Sequence, residues 1–278
     1  MFPFDMSETG NDISPEGALS ALAWLAAMGA DEAIGEAPVN RIAAAPPPPP
    51  PPAEKPLPGP KMGPPPVKSP VLADRTADAE AAIADARRVA GECASLAEIA
   101  AALSAFEACP LSRTATNLVF TDGAETPELL VIGDFPGRED DGRGVPFSGP
   151  EGALLDRMLE AIGHSRATSL LTHLVFWRPP GGRPATDTEV LMCLPFLERL
   201  AVLAKPKAVL ALGEAPAKRL LNATGGILRL RGQWGEWQGL PLLASWGPAT
   251  LLKTPAFKAD AWKDLKSLKA RLDAAAAS

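Results

Sequence analysis

Cysteine is scarce in this chain of 278 residues: Cys93, Cys109 and Cys193 are too few, and odd in number, for a disulfide framework, so a reducing compartment is expected. Histidine is scarcer, limited to His164 and His173, so imidazole chemistry has two places to reside. No apolar run is long enough to span a bilayer, and the opening "MFPFDMSETGND" lacks the basic start of a secretory signal. A soluble, cytoplasmic, monomeric protein with no membrane partner is expected. Neither G-x-G-x-x-G at a first strand–helix turn nor G-x-x-x-x-G-K-[ST] occurs, which argues against a nucleotide-binding enzyme. A strong basic field is missing too. The net charge is −6, but residues 1–70 carry four basic and eight acidic groups, residues 71–127 four and nine, and residues 128–278 nineteen and sixteen. The acidity therefore lies in the first half, and the second half is free to meet nucleic acid.

Proline is abundant, and concentrated. Residues 46–70, "PPPPPPPAEKPLPGPKMGPPPVKSP", hold fourteen of the 31 prolines. Without N–H donors and with φ fixed, such a segment reads as a semi-rigid linker, or as a docking site for a proline-binding partner. Before it, residues 1–45 form an expected helical extension: Ser14 is placed as N-cap, Pro15 follows at the first helical position, and Gly29 stops the helix. Its stripe of Leu19, Leu22, Trp24, Leu25 and Met28 either packs on the body or binds a protein partner, because an isolated helix of about fifteen residues is marginal in water.

Residues 71–278 read as one α/β domain. A helix is expected over 74–106, broken near Gly91. From residue 128 strands and helices alternate: strands at 128–133, 169–177, 207–213 and 241–246, and helices at 152–163, 186–204, 214–222 and 258–272. Thr186 and Glu189 make a capping box at the start of the second of these helices. The pattern predicts a three-layer α/β/α sandwich around a mostly parallel four-stranded sheet. In such sheets ligands lie beyond the carboxyl ends of the strands. Three polar, glycine- and proline-rich segments fall there: "GDFPGREDDGRGVPFSG", expected as a shaped loop, then "HLVFWRPP" and "SWGPATLLK".

Those segments, in that order, resemble the motifs of the uracil-DNA glycosylase superfamily, most closely the family 4 type and its bacterial relatives. The first motif stands here as Gly133-Asp134-Phe135-Pro136-Gly137, then Glu139-Asp140-Asp141, then Gly144-Val145-Pro146-Phe147-Ser148-Gly149. The second runs from Thr172 and His173 through Trp177-Arg178-Pro179-Pro180-Gly181-Gly182-Arg183, and the last is Gly247-Pro248-Ala249-Thr250-Leu251-Leu252-Lys253. The resemblance covers residues 96–272. It implies hydrolysis of the N-glycosidic bond of uracil or another damaged base in DNA. Phe147, with Phe135 beside it in the motif, would bind the base; Asp134, Asp140, His173 and Gly247 occupy the catalytic positions. Arg178, Arg183, Arg231 and Lys253 would contact DNA.

Two residues depart from the family pattern. His173 stands where the family has the Asn that reads the uracil edge, and Gly247 stands where it has a histidine. Removing one preorganised donor costs roughly 10²–10³ in rate, and an unread base edge relaxes base choice. His173 either supplies a substitute donor or merely fills space. The alternatives that follow are a glycosylase of altered specificity and a catalytically degenerate DNA-binding protein on the same fold. The four cysteine positions of the iron–sulfur family members are matched by Phe106, Cys109, Trp177 and Cys193, so no cluster and no other metal is expected.

Overall fold

The computed structural model describes residues 70–276. The expected N-terminal helix and nearly all of the proline-rich linker lie outside the described residues. Two helices open the fold, α1 (Pro70–Glu92) and α2 (Leu96–Ala105), separated just past Gly91 and restarted by Ser95, whose hydroxyl accepts the Glu98 N–H. Then come β1 (Thr121–Gly123), β2 (Leu129–Gly133), α3 (Arg138–Arg143), α4 (Gly149–Glu160), β3 (Ser169–His173) and α5 (Asp187–Ala204). The chain finishes with β4 (Ala208–Leu212), α6 (Glu214–Leu220), α7 (Ile227–Leu230), β5 (Trp234–Trp237), β6 (Leu240–Ser245), α8 (Pro248–Lys253) and α9 (Lys258–Ala276).

The sheet has six strands, not four, in the order β1-β3-β2-β4-β6-β5. The four expected strands form its parallel centre, and the two unforeseen ones pair antiparallel at the edges, β1 on β3 and β5 on β6. Every residue of β2, β3 and β4 is buried, as a parallel sheet covered on both faces requires. Side chains alternate between two cores. Leu130, Ile132, Val209 and Leu242 pack with residues of α1, α2 and α5, whereas Leu129, Val131, Leu210 and Leu243 pack with α4 and α9. Among the described residues no helix is long and apolar enough to cross a membrane.

β2 and β4 are neighbours, and the chain leaves β2 towards β3 but leaves β4 towards β6, in opposite directions across the sheet. The carboxyl end of β2 is therefore the switch point, where a crevice must open. Gly133 and Asp134 sit there.

Candidate active site

The segment after β2 is not all loop. Its middle winds into α3, whose start is fixed by the Asp140 carboxylate accepting the Gly137 N–H at 2.9 Å and whose end is turned by Gly144 at φ 70°. Three acids crowd its first turn and Arg143 its last, the polarity a helix dipole favours. Asp141 faces backward, accepting the N–H groups of Thr116 at 2.8 Å and Asn117 at 3.2 Å and the Thr116 hydroxyl at 3.0 Å. It anchors the loop to the preceding chain.

Asp140 is the hub. Its Oδ1 accepts the Ser148 N–H at 2.6 Å, and its Oδ2 accepts from His173 Nε2 at 3.2 Å. Burial alone would raise this carboxyl, but the His173 ring and the Gly137 and Ser148 amides outweigh it and hold it below the usual carboxylate range. The His173 imidazole packs on Phe147, with ring centroids 4.5 Å apart and planes inclined by 33°. Gly133 makes the space: a Cβ there would lie 2.6 Å from both His173 Nδ1 and Phe147 Cζ.

Phe147 adopts φ 50°, a conformation that a bulky side chain rarely takes and that costs of the order of 1–3 kcal/mol. Arg166 holds it there, donating to the Phe147 carbonyl at 2.8 Å and to the Pro146 carbonyl at 3.3 Å while pairing with Asp156 and Asp122. Gly152 is required as well, since a Cβ at that position would collide with the Phe147 carbonyl oxygen. Neither Arg166 nor Gly152 was expected from the sequence; the helix signal around Gly152 was legible, but its partner across the turn was not.

Asp134 sits half-buried at the start of α6, its Oδ1 accepting the Ala215 N–H at 3.1 Å. Burial raises its carboxyl to about 6, with the Ala215 amide opposing and Glu214 and Glu151 adding to the rise. Gly213, at φ 113°, leaves the space that the Asp134 carboxylate fills. On the other side of Gly213 comes Gly247, from which a Cβ would meet the Leu212 carbonyl and the Gly213 backbone at 3.6–3.7 Å, an ordinary contact. Asp134 and Gly247 thus flank one glycine. Glu151, unnoticed in the sequence, is a further acid of this rim: burial first, then the charge of Asp140, push its carboxyl up, and His173 and then Lys253 pull it back. A cavity of 210 Å³ lies beside it, lined by Gly137, Arg138, Glu139, Asp140, Ser148 and Glu151 among others.

The other expected site residues divide. Lys253 is exposed and its charge reaches Glu151; Arg178 is half-buried on the second loop. Arg183 instead forms a bidentate pair with buried Glu189, at 2.6 and 2.9 Å. Arg231 is committed to Asp264, which is 2% exposed, at 2.6 and 3.1 Å, and Ser245 donates to the same carboxylate at 2.7 Å. That network ties β6 to α9. Phe135 packs against the core on the α5 side of the sheet, whereas Phe147 belongs to the opposite core, so the two aromatic residues are not brought together.

The residues matching the iron–sulfur ligand positions do not fit a cluster. Phe106 stacks edge-on against Phe196 at 5.3 Å, Trp177 against Phe176 at 6.4 Å, and Cys109 and Cys193 are fully buried among them. Burial pushes the Cys193 thiol well up, with the neighbouring Cys109 adding to the rise. Two thiols and two aromatic side chains offer half the ligands such a cluster needs.

This fold and rim define an α/β protein with an acid-lined crevice at the carboxyl edge of its sheet. A model of the uracil DNA glycosylase superfamily matches residues 120–266. The chain is 32% identical over 165 residues to the type-4 uracil-DNA glycosylase of Pyrobaculum aerophilum, covering 56% of this chain and 84% of the relative. It is 31% identical over 184 residues to that of Archaeoglobus fulgidus, covering 63% and 92%, and 30% identical over 148 residues to that of Thermotoga maritima, covering 52% and 77%. The chain belongs to the uracil DNA glycosylase superfamily.

Proposed function

We propose that the protein hydrolyses the N-glycosidic bond of a damaged base in DNA, with Asp134 as the group that activates water. A base inside a duplex is unreachable, so the nucleotide must be everted into a fitted slot. Water oxygen then bonds to the sugar C1′ as the C1′–N bond breaks; Asp134 accepts the water proton, and the base leaves with the bonding pair. The observation that carries this reading is the Asp134 carboxyl itself. It lies at the sheet's switch point, is held by one backbone N–H, and is poised near neutrality, where a general base works best. The carboxylates of Asp134 and Asp140 also favour the positive charge that develops on the sugar.

The base side of the slot is altered. His173 stands at the position that reads the base edge, and Gly247 offers no donor to a base oxygen. We therefore propose a base preference different from strict uracil, with His173 the donor to the departing base. The test is release of free base from oligonucleotides containing uracil, hypoxanthine or xanthine. No release from any of them at high enzyme concentration would sink the reading.

A second reading, DNA binding without turnover, is favoured by one observation: the face of Phe147 is covered by His173. Salt-dependent DNA binding through Arg178 and Lys253, with every base retained, would establish it.

A further inference from the structure

We propose that His173 is the gate of the base slot, its imidazole lying, in the protein without DNA, on the face of Phe147 that an everted base would occupy. This rests on the reading of Phe147 as the base platform and goes beyond it, because it makes one side chain decide whether the platform is available. Phe147 is only 4% exposed: one side is packed in the core with Leu155 and Met158, and His173 covers it at 4.5 Å. A base and the imidazole cannot share that contact. Three features seat the ring. His173 Nε2 donates to Asp140 at 3.2 Å, Gly133 provides the missing Cβ volume, and Asp140 is itself fixed by two backbone amides.

One feature keeps the seat reversible. His173 Nδ1 is buried with no hydrogen-bond partner, so the closed position forfeits a bond that water or a base would supply once the ring swings out. The imidazole is therefore held on one nitrogen and released on the other. A ligand that binds only the open state is weakened by the fraction of molecules that are closed. A side chain shorter than histidine at this position leaves Phe147 uncovered and removes that penalty.

The experiment is binding of free uracil and free hypoxanthine, followed by saturation-transfer NMR, to the full chain. Wild type is expected to bind both only weakly. His173→Ala is expected to bind at least one of them about tenfold or more tighter than wild type, and Phe147→Ala in that background is expected to remove the gain. His173→Asn, which keeps a donor for Asp140, serves as the second variant if His173→Ala melts early. Equal affinity of wild type and both variants overturns the gate, as does a folded variant that gains nothing. Because free-base binding needs no turnover, the two readings fail separately. Variants that gain binding while no oligonucleotide releases a base leave the gate and remove the glycosylase; an active wild type whose variants gain nothing removes the gate alone.

Discussion

Asp134→Asn should make the protein more stable and less active at the same time. In the folded chain this carboxyl titrates near 6 because burial disfavours its charge, against 3.8 for an ordinary aspartate. A pKa raised on folding means that the native state binds the proton more tightly than the unfolded chain does. Ionisation therefore destabilises the fold, by about 3 kcal/mol at full ionisation. The sign follows directly. The penalty is complete above roughly pH 7, shrinks as pH falls through 6, and is gone near 4, where the unfolded carboxyl is protonated too. Asparagine keeps an oxygen for the Ala215 N–H and carries no charge at any pH. A protein of this size gains roughly 2–4 °C per kcal/mol, so the variant should melt about 6–12 °C above wild type at pH 8, with the gap closing towards pH 4. Thermal melts of both proteins across that range are the assay. Base release by wild type should rise with pH up to about 6 and then level off. The variant should lose roughly 10²–10⁴ in rate. A variant that melts below wild type at pH 8, or a gap that does not change with pH, would refute the account of a strained, ionised carboxylate.

Arg231→Ala should act on stability and not on DNA: leaving Asp264 buried with only Ser245 costs about 3–5 kcal/mol, while the salt dependence of DNA binding stays unchanged. A slope smaller by about one unit would instead mean a lost phosphate contact. Gly247→His should fold, because Gly247 has φ −72° and space for a Cβ at ordinary contact. It should raise uracil release roughly 10²-fold by restoring a donor, and a large fall in melting temperature would contradict the geometry. Protein purified with iron present should show no absorbance band around 400 nm, since Phe106 and Trp177 hold two of the four ligand positions.

What the sequence disclosed, and what it hid, follows from how each feature is encoded. The central strands were legible because burial on both faces makes them continuous apolar runs such as "LLVIG". The edge strands were not: "TDG" and "WGEW" are short, partly exposed and stabilised by their neighbours rather than by their own residues. α3 was hidden because Gly142 within it and Gly137 and Gly144 at its ends argue against helix, whereas its stability comes from the Asp140 cap and its first-turn acids. Phe135 and Phe147 share one motif, yet α3 lies between them and they belong to opposite cores. Arg231 looked free for DNA because Asp264 lies far along the chain from it. Side-chain chemistry was readable from residue type; its direction was not.

That distinction bears on what the two exchanged residues did to the slot. Phe147 is held at an unfavourable φ by the Arg166 guanidinium on its carbonyl and by Asp140 on the next amide, and Gly152 clears the space behind it. Asp134 is held by the Ala215 amide and the space at Gly213. None of these supports is the side chain of residue 173 or 247. A strained backbone persists only where its surroundings over-determine it, so the platform and the carboxylate keep their positions whatever stands at those two sites. On the function proposed above, residues 173 and 247 govern which base enters and how its departing charge is met, and the two positions should be exchangeable without loss of fold. If His173→Asn combined with Gly247→His melts near wild type and releases uracil while either change alone releases less, shape and specificity are carried by separate residues. If the double variant folds and releases no uracil, the slot depends on its present occupants and that separation fails.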